Sequence, residues 1–317
     1  MARAEHENEL RLIRVFNAPV ELVWDAWMKE EHVAQWWGPR GFSLTTKSKD
    51  VRPGGQWVYT MHGPDGTDYP NIATYHVVEP HKELVYDHGA TEETPPLFRV
   101  TVLFRDLQGK TEIDLTMALD TPEAAREARR FIKRAGGDST WDRFGEYLEQ
   151  VQGRENVFLI NRSFAADQEK VFEMWVNPDY YVKWMGPIGS TMSFLQADVK
   201  EGGSAVWRMT MEDGSTKHGK LEYRTIRPHE LFVYSEHFSD ENGTLIKLPV
   251  ALSYPDRILT TVSFTPEDGN ETRVAVRWEI LGEANAEERA TFEAMKAQMT
   301  PKWTGSFDKL EALLEAY

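Results

Sequence analysis

Residues 16–39 read FNAPVELVWDAWMKEEHVAQWWGP, and residues 164–187 read FAADQEKVFEMWVNPDYYVKWMGP. The second stretch keeps Phe164, Trp175, Trp184 and Gly186-Pro187 at the spacing of Phe16, Trp27, Trp36 and Gly38-Pro39, 148 residues on. The register continues outward without insertion: Gly54-Gly55, Met61, Gly66, Tyr75, Pro80-His81 and Tyr86 recur as Gly202-Gly203, Met209, Gly214, Tyr223, Pro228-His229 and Tyr234. Infrequent residues matching in one fixed register identify an internal duplication. Two like domains are expected, 1–152 and 153–317, joined by the short linker Gln152-Gly153-Arg154.

Around the shared start, Leu10 to Phe16 alternates as a strand does, and Val20, Val23, Trp24 and Trp27 share one helical face. A second short helix from Glu30 ends at Trp36-Trp37-Gly38-Pro39, where Gly caps and Pro stops it. Strand-like runs follow at Phe42–Val51, Gln56–His62, Asn71–Glu79, Glu83–His88, Leu97–Arg105 and Thr111–Leu119, separated by Gly, Pro and Asp turns. Thr121-Pro122-Glu123 opens a long helix with an N-cap and a first-turn acid, and Gly136-Gly137 is expected to break it. The order β-α-α-β-β-β-β-β-β-α makes each domain α+β. The second copy departs after Tyr234, where twelve extra residues form a longer loop at about 239–255. That loop holds Asp240-Glu241-Asn242-Gly243 and an apolar run from Leu245 to Leu252, which is expected to pack on its own domain, an entrance or another subunit. The last helix, 286–316, carries Phe292, Met295, Met299, Trp303, Phe307, Leu310 and Leu314 as an apolar stripe, with a kink expected at Pro301.

The chain has 317 residues, 41% hydrophobic and 27% charged, with a net charge of −15 and no cysteine. A surface this acidic disfavours nucleic acid and anionic lipid as partners. Without cysteine there are no disulfides, thiolate metal sites or Cys nucleophiles. The polar start and the lack of a long apolar run predict a cytoplasmic protein with no membrane insertion.

Four motifs resemble one known family: Phe16-Asn-Ala-Pro19 with Val23-Trp24-Asp25-Ala26-Trp27, Trp36-Trp37-Gly38-Pro39, Arg52-Pro53-Gly54-Gly55 and Gly63-Pro64-Asp65-Gly66. The second copy carries them more loosely, with Met185 for Trp37 and Glu201 for Pro53. The pattern is similar to the homologues of the activator of the heat-shock protein 90 ATPase, in the START-like (SRPBCC, birch-pollen-allergen-like) superfamily. The resemblance implies two tandem helix-grip domains, each a curved antiparallel sheet around a long C-terminal helix with a cavity between them.

Strand alternation then names the inward side chains. In the first domain these include Trp57, Tyr59, Met61, Tyr75, Tyr86 and Phe104, joined by Trp141 from the terminal helix. In the second they include Trp207, Met209, Tyr223, Tyr234 and Phe264, with Trp303. An aromatic, Met-rich interior suits a small hydrophobic or aromatic ligand. Of the groups both copies share, Asp65 and Asp213 read as turn formers, His81 and His229 follow turn prolines, and Glu21 and Glu169 complement helix dipoles. Arg14 points inward with Asp50 as its expected ion partner. His62, His76 and His88 lie on neighbouring strands, but their counterparts are Thr210, Arg224 and Glu236, and no metal site is expected. No cofactor motif is present: no phosphate-binding Gly loop, His-Glu-x-x-His or Gly-x-Ser-x-Gly.

The leading reading is therefore hydrophobic-ligand binding with no catalytic residue assigned and no cofactor. One alternative is a cyclase, dehydratase or hydrolase-like enzyme on a polyketide-type substrate, with Tyr75, Tyr86 or Arg14 polarising a carbonyl. The other is a chaperone-linked or stress-response adaptor using the outer sheet faces or the loop near Leu248. A homo-oligomer or chaperone contact is kept open as a partner.

Overall fold

A computed structural model describes residues 6–91, 93–134, 138–154, 156–247, 252–267 and 270–317. Backbone contacts divide the chain into two compact units, Met1–Glu155 and Asn156–Tyr317. Each is α+β and of helix-grip type.

The first unit runs β1 (Glu9–Phe16), α1 (Val20–Met28), α2 (Glu30–Trp36), β2 (Ser43–Lys49), β3 (Gln56–His62), β4 (Asp68–Glu79), β5 (Glu83–Gly89), β6 (Phe98–Asp106), β7 (Thr111–Ala118), α3 (Pro122–Arg134) and α4 (Asp138–Val151). Its strands form one antiparallel sheet in the order β1-β7-β6-β5-β4-β3-β2. Every hairpin neighbour is a chain neighbour except β1, which pairs with β7. The α1–α2 segment therefore spans from one sheet edge to the other. The terminal helical region is two elements here; the Gly136-Gly137 break falls outside the described residues. Thr121 caps α3 as expected, its Oγ1 accepting from Ala124 N at 3.1 Å. The helix seats Ala125 on Leu10 and Leu119, a small cluster apart from the main core, which α4 fills with Phe144 and Leu148.

The second unit repeats the plan as β8 (Val157–Phe164), α5 (Gln168–Val176), α6 (Pro178–Trp184), β9 (Thr191–Ala197), β10 (Ser204–Thr210), β11 (Thr216–Arg227), β12 (Leu231–Phe238), β13 (Ile258–Glu267), β14 (Glu271–Ile280) and α7 (Ala286–Ala316). The sheet order is again that of the first unit, β8-β14-β13-β12-β11-β10-β9. Asn285 and Glu288 form a capping box at the start of α7, which continues as one element through Pro301.

What both copies keep is a helix-to-helix clamp. Trp36 and Trp184 are wholly buried and donate their indole hydrogens to the carbonyls of Ala26 (2.9 Å) and Met174 (2.8 Å). The Gly-Pro that follows turns at positive φ, 93° at Gly38 and 104° at Gly186. The terminal helix holds each turn by its carbonyls. In the first unit Arg143 Nη1 donates to Gly38 O (2.7 Å) and Pro39 O (2.9 Å); in the second Ser306 Oγ donates to Gly186 O at 3.0 Å. Shared polar residues also keep structural posts. Asp65 and Asp213 accept from the backbone two residues on. His81 and His229 sit at φ 65° and pack edge-on against Trp24 and Phe172.

Two expectations need correction. Asp50 does not reach Arg14; it pairs with Arg52 in the exposed turn at 2.9 Å. In the second copy the equivalent Arg162 pairs with Asp308 of α7 at 2.6 Å, so this arginine ties sheet to helix rather than strand to turn. The strand expected from Asn71 begins earlier, at Asp68, because Tyr69 and Pro70 stay paired with Met61 and Thr60.

A Cβ built on Gly186 would lie 2.8 Å from Met209 Cε, at a backbone angle that L-residues avoid. Gly186→Ala should therefore lose about 1–3 kcal/mol of stability by chemical denaturation, and an unchanged midpoint would show that this turn has room to relax.

Candidate functional site

The register places the inward side chains of the second unit in rows across its sheet. One row runs Tyr223, Tyr234, Thr260, Trp278 and Phe158; the next runs Ala205, Leu221, Glu236, Ile258 and Ile280. Glu236 is thus an acid on an apolar face. Its Oε1 accepts from Thr260 Oγ1 at 2.9 Å, and burial pushes its carboxyl up to about 7. Tyr234 interacts through its hydroxyl with Thr260 and with Tyr181 of α6, and burial raises both tyrosines. Tyr254, from the long loop, is buried between Phe238 and Phe292 (ring centroids 6.2 and 6.4 Å) and feels the Glu236 charge. Nearby, the indole nitrogens of Trp278 and Trp175 are buried with no hydrogen-bond partner among the described residues, and the two rings flank Trp303 at 5.7 and 6.1 Å.

The first unit has different chemistry at the same place. Trp57 stacks on Tyr59 at 4.0 Å, and Trp37 donates to the Tyr59 hydroxyl at 3.2 Å. Lys49 lies 3.6 Å over the Trp57 ring and donates to Trp27 O at 3.2 Å. Both contacts favour the ammonium, yet burial outweighs them and lowers Lys49 to about 7. Where the second unit has Glu236, the first has His88, stacked on Phe98 at 4.7 Å and lowered by burial to about 4. It is neutral at ordinary pH.

The inward aromatic residues named from the sequence therefore divide. Phe104 and Phe264 pack on Trp27 and Trp175 (5.8 and 6.0 Å), and Trp141 packs on Trp27 at 5.8 Å, all within the helix clamp. Met61 and Met209 fill the space under Gly38 and Gly186. Trp57, Tyr59, Tyr75, Tyr86, Trp207, Tyr223 and Tyr234 lie on the inner sheet faces, and Trp303 joins them to the clamp. Tyr75, Tyr86 and Arg14 are 2, 5 and 6% exposed. All three are enclosed within the core, and burial raises both tyrosine hydroxyls.

The histidines do not converge. His62 pairs with Asp68 (2.6 Å) and His76 with Asp87 (2.7 Å), while His88 stacks on Phe98. Among the described residues no group of His, Asp or Glu is arranged to hold a metal, and no helix is long and apolar enough to cross a membrane.

The long loop turns back on its own unit. Gly243 lies against Val206 on the outer face, and Lys247 bridges Asp256 (2.9 Å) and Glu288 (2.8 Å) at the start of α7. Leu248 lies outside the described residues.

Sequence reading missed Lys49, Tyr181, Glu236, Tyr254, Thr260 and Trp175. Parity with Tyr234 was enough to place Glu236 inside. Lys49 was hidden by a bulge between Thr46 and Ser48, which moves it from the outer to the inner face opposite Trp57.

The family described as Activator of Hsp90 ATPase homolog 1-like protein matches residues 17–149 and 165–315. No curated protein matches the chain. Among solved structures, a Nitrosomonas europaea protein is 23% identical over 47% of this chain and 99% of its own, with a TM-score of 0.43. A Staphylococcus epidermidis protein is 26% identical over 48% of this chain and 95% of its own, TM-score 0.43. The di-domain ARO/CYC protein BexL from the BE-7585A biosynthetic pathway is 14% identical over 98% of this chain and 99% of its own, TM-score 0.39.

Both buried ionisable groups set a sign for stability against pH. Glu236 titrates higher in the folded than the unfolded chain, so its contribution is full below about pH 4.5 and is lost as pH rises through 7. Wild-type protein should lose about 2–3 kcal/mol across that window relative to Glu236→Gln; parallel denaturation profiles would refute the burial of this acid. Lys49 titrates lower when folded, so its burial costs stability below pH 7 and the cost fades toward pH 10. Lys49→Met should raise the melting temperature at pH 6 by more than at pH 10, and an equal shift at both would contradict the desolvated amine.

Proposed function

The chain belongs to the Activator of Hsp90 ATPase homolog 1-like family, and from that premise we propose that each unit binds a small hydrophobic or aromatic molecule between its sheet and its terminal helix. What supports this most is a set of large apolar side chains on the inner faces that stay only half-buried while packed against the core. In the first unit these are Trp37, Met61, Met117 and Trp141; in the second, Met192, Phe194, Trp207, Phe238 and Trp278. An inner-face residue touching the core on one side and keeping accessible surface on the other is what lines a hollow. Covering such surface is favourable by about 25 cal/mol per Å², which gives an apolar guest a reason to enter. Polar groups are few and fixed: Lys49, Tyr59 and Thr46 in one unit, Glu236, Thr260 and the tyrosine hydroxyls in the other. This is the lining of a binding site that orients its guest by a handful of contacts.

The test is native mass spectrometry of the whole chain after exposure to aromatic probes such as 2-acetonaphthone and anthracene. Two retained equivalents are expected, falling to one in either Trp57→Ala or Trp207→Ala. No retained mass at any probe concentration would remove the reading.

A further inference from the structure

We infer that the second unit selects aromatic guests that carry a ketone or ester carbonyl, and that it holds the carbonyl oxygen on the free edge of the Glu236 carboxyl. The inference rests on the ligand-binding reading above and gives its second site a chemical class.

The argument is a count of donors along one chain of hydroxyls. Thr260 has a single proton and spends it on Glu236 Oε1 at 2.9 Å. Its oxygen can still accept, and the Tyr234 hydroxyl, which also meets that of Tyr181, lies beside it. The run of hydroxyls, Tyr181, Tyr234 and Thr260, ends at a carboxyl whose protein hydrogen-bond partner among the described residues is Thr260. Held protonated by its surroundings, that carboxyl has one donor left over. The residue also keeps part of its surface accessible, so the donor has somewhere to point. Trp278, next to Thr260 on β14, offers a buried indole N–H with no hydrogen-bond partner among the described residues on the same inner face. Two donors without acceptors in an aromatic interior match a guest that brings an acceptor and no donor.

The groups facing Glu236 are Tyr181 from α6, Tyr234 from β12, Thr260 from β13 and Tyr254 from the loop, and no charged side chain shapes its titration. The duplication supplies the control. In the first unit the positions of Tyr181, Thr260 and Glu236 hold Val33, Val100 and His88, so three members of the chain are replaced together while Tyr234 is retained as Tyr86.

The experiment compares 2-acetonaphthone with 2-isopropylnaphthalene, which has the same shape without the oxygen, binding to the full chain followed by calorimetry. At pH 6 the ketone should bind the second site about tenfold more tightly. Glu236→Gln, which keeps a donor, should retain the preference; Glu236→Leu should abolish it while still binding the hydrocarbon. In wild type the preference should fade as pH passes 7, and in Glu236→Gln it should not. Glu236→Met, which keeps the length of the side chain and removes the donor, stands in if the leucine variant does not fold. Equal binding of the two probes, or a preference that survives Glu236→Leu or Glu236→Met, overturns this inference and leaves the ligand-binding reading intact. Binding of neither probe overturns both.

Discussion

A tryptophan indole hydrogen, given to a backbone carbonyl ten residues earlier in each unit, holds the rest in place. The bond fixes the angle between two short helices that would be marginal alone. It also seats the rings where the terminal helix must pack: Phe144 of α4 stacks on Trp36 at 3.9 Å, and Trp303 of α7 lies 6.1 Å from Trp175, which itself sits 4.7 Å from Trp184. Removing such a ring from a core leaves a cavity costing roughly 3–5 kcal/mol, with an orphaned carbonyl added. The Gly-Pro turn, the methionine beneath it and the helix donors above it are consequences of that one placement.

With the clamp constant, the inner faces have been free to diverge, and they have done so in charge as well as shape. The first unit buries a lysine and a neutral histidine; the second buries an acid on a ladder of hydroxyls. At the position of Lys49 the second copy has Ala197, and at Asn71 it has Gly219. The latter change is forced by packing. A Cβ at Gly219 would stand 2.2 Å from the Trp207 ring, whereas Asn71 faces the smaller Tyr59 across the same strand pair. Each unit has therefore exchanged several residues as a coordinated set, the pattern of two interiors fitted to different contents rather than of one interior drifting.

The fold was legible because its signals are periodic and local. Alternation fixed the strands, Gly-Pro and Asp-Gly fixed the turns, and the duplication checked each reading against a second copy. Tyr59, Tyr75, Tyr223 and Tyr234 were placed inward by parity alone. Parity fails where the backbone departs from it, as at the bulge that turns Lys49 inward, and it says nothing of partners brought from elsewhere. Tyr181 arrives on a helix and Tyr254 on an inserted loop, so neither follows from the strand that carries Glu236. Arg14 shows the same limit: its expected partner was chosen by nearness along the sheet, and in the second copy the acid comes from the terminal helix.

The insertion and the acid belong to one design. A carboxyl left open to water would stay hydrated and ionised, with little power to donate. The loop supplies Tyr254, which closes the space between Phe238 at the end of β12 and Phe292 on α7. Lys247 then locks that closure to Asp256 and Glu288. Its charge is spent on acids at the mouth and does not reach Glu236, whose titration is governed by burial and Thr260. The first unit has a shorter β5–β6 connection and carries a histidine that needs no proton to be stable there. Lifting an acid to about 7 requires excluding water and excluding cations at once, and the added residues of the second copy contribute to both.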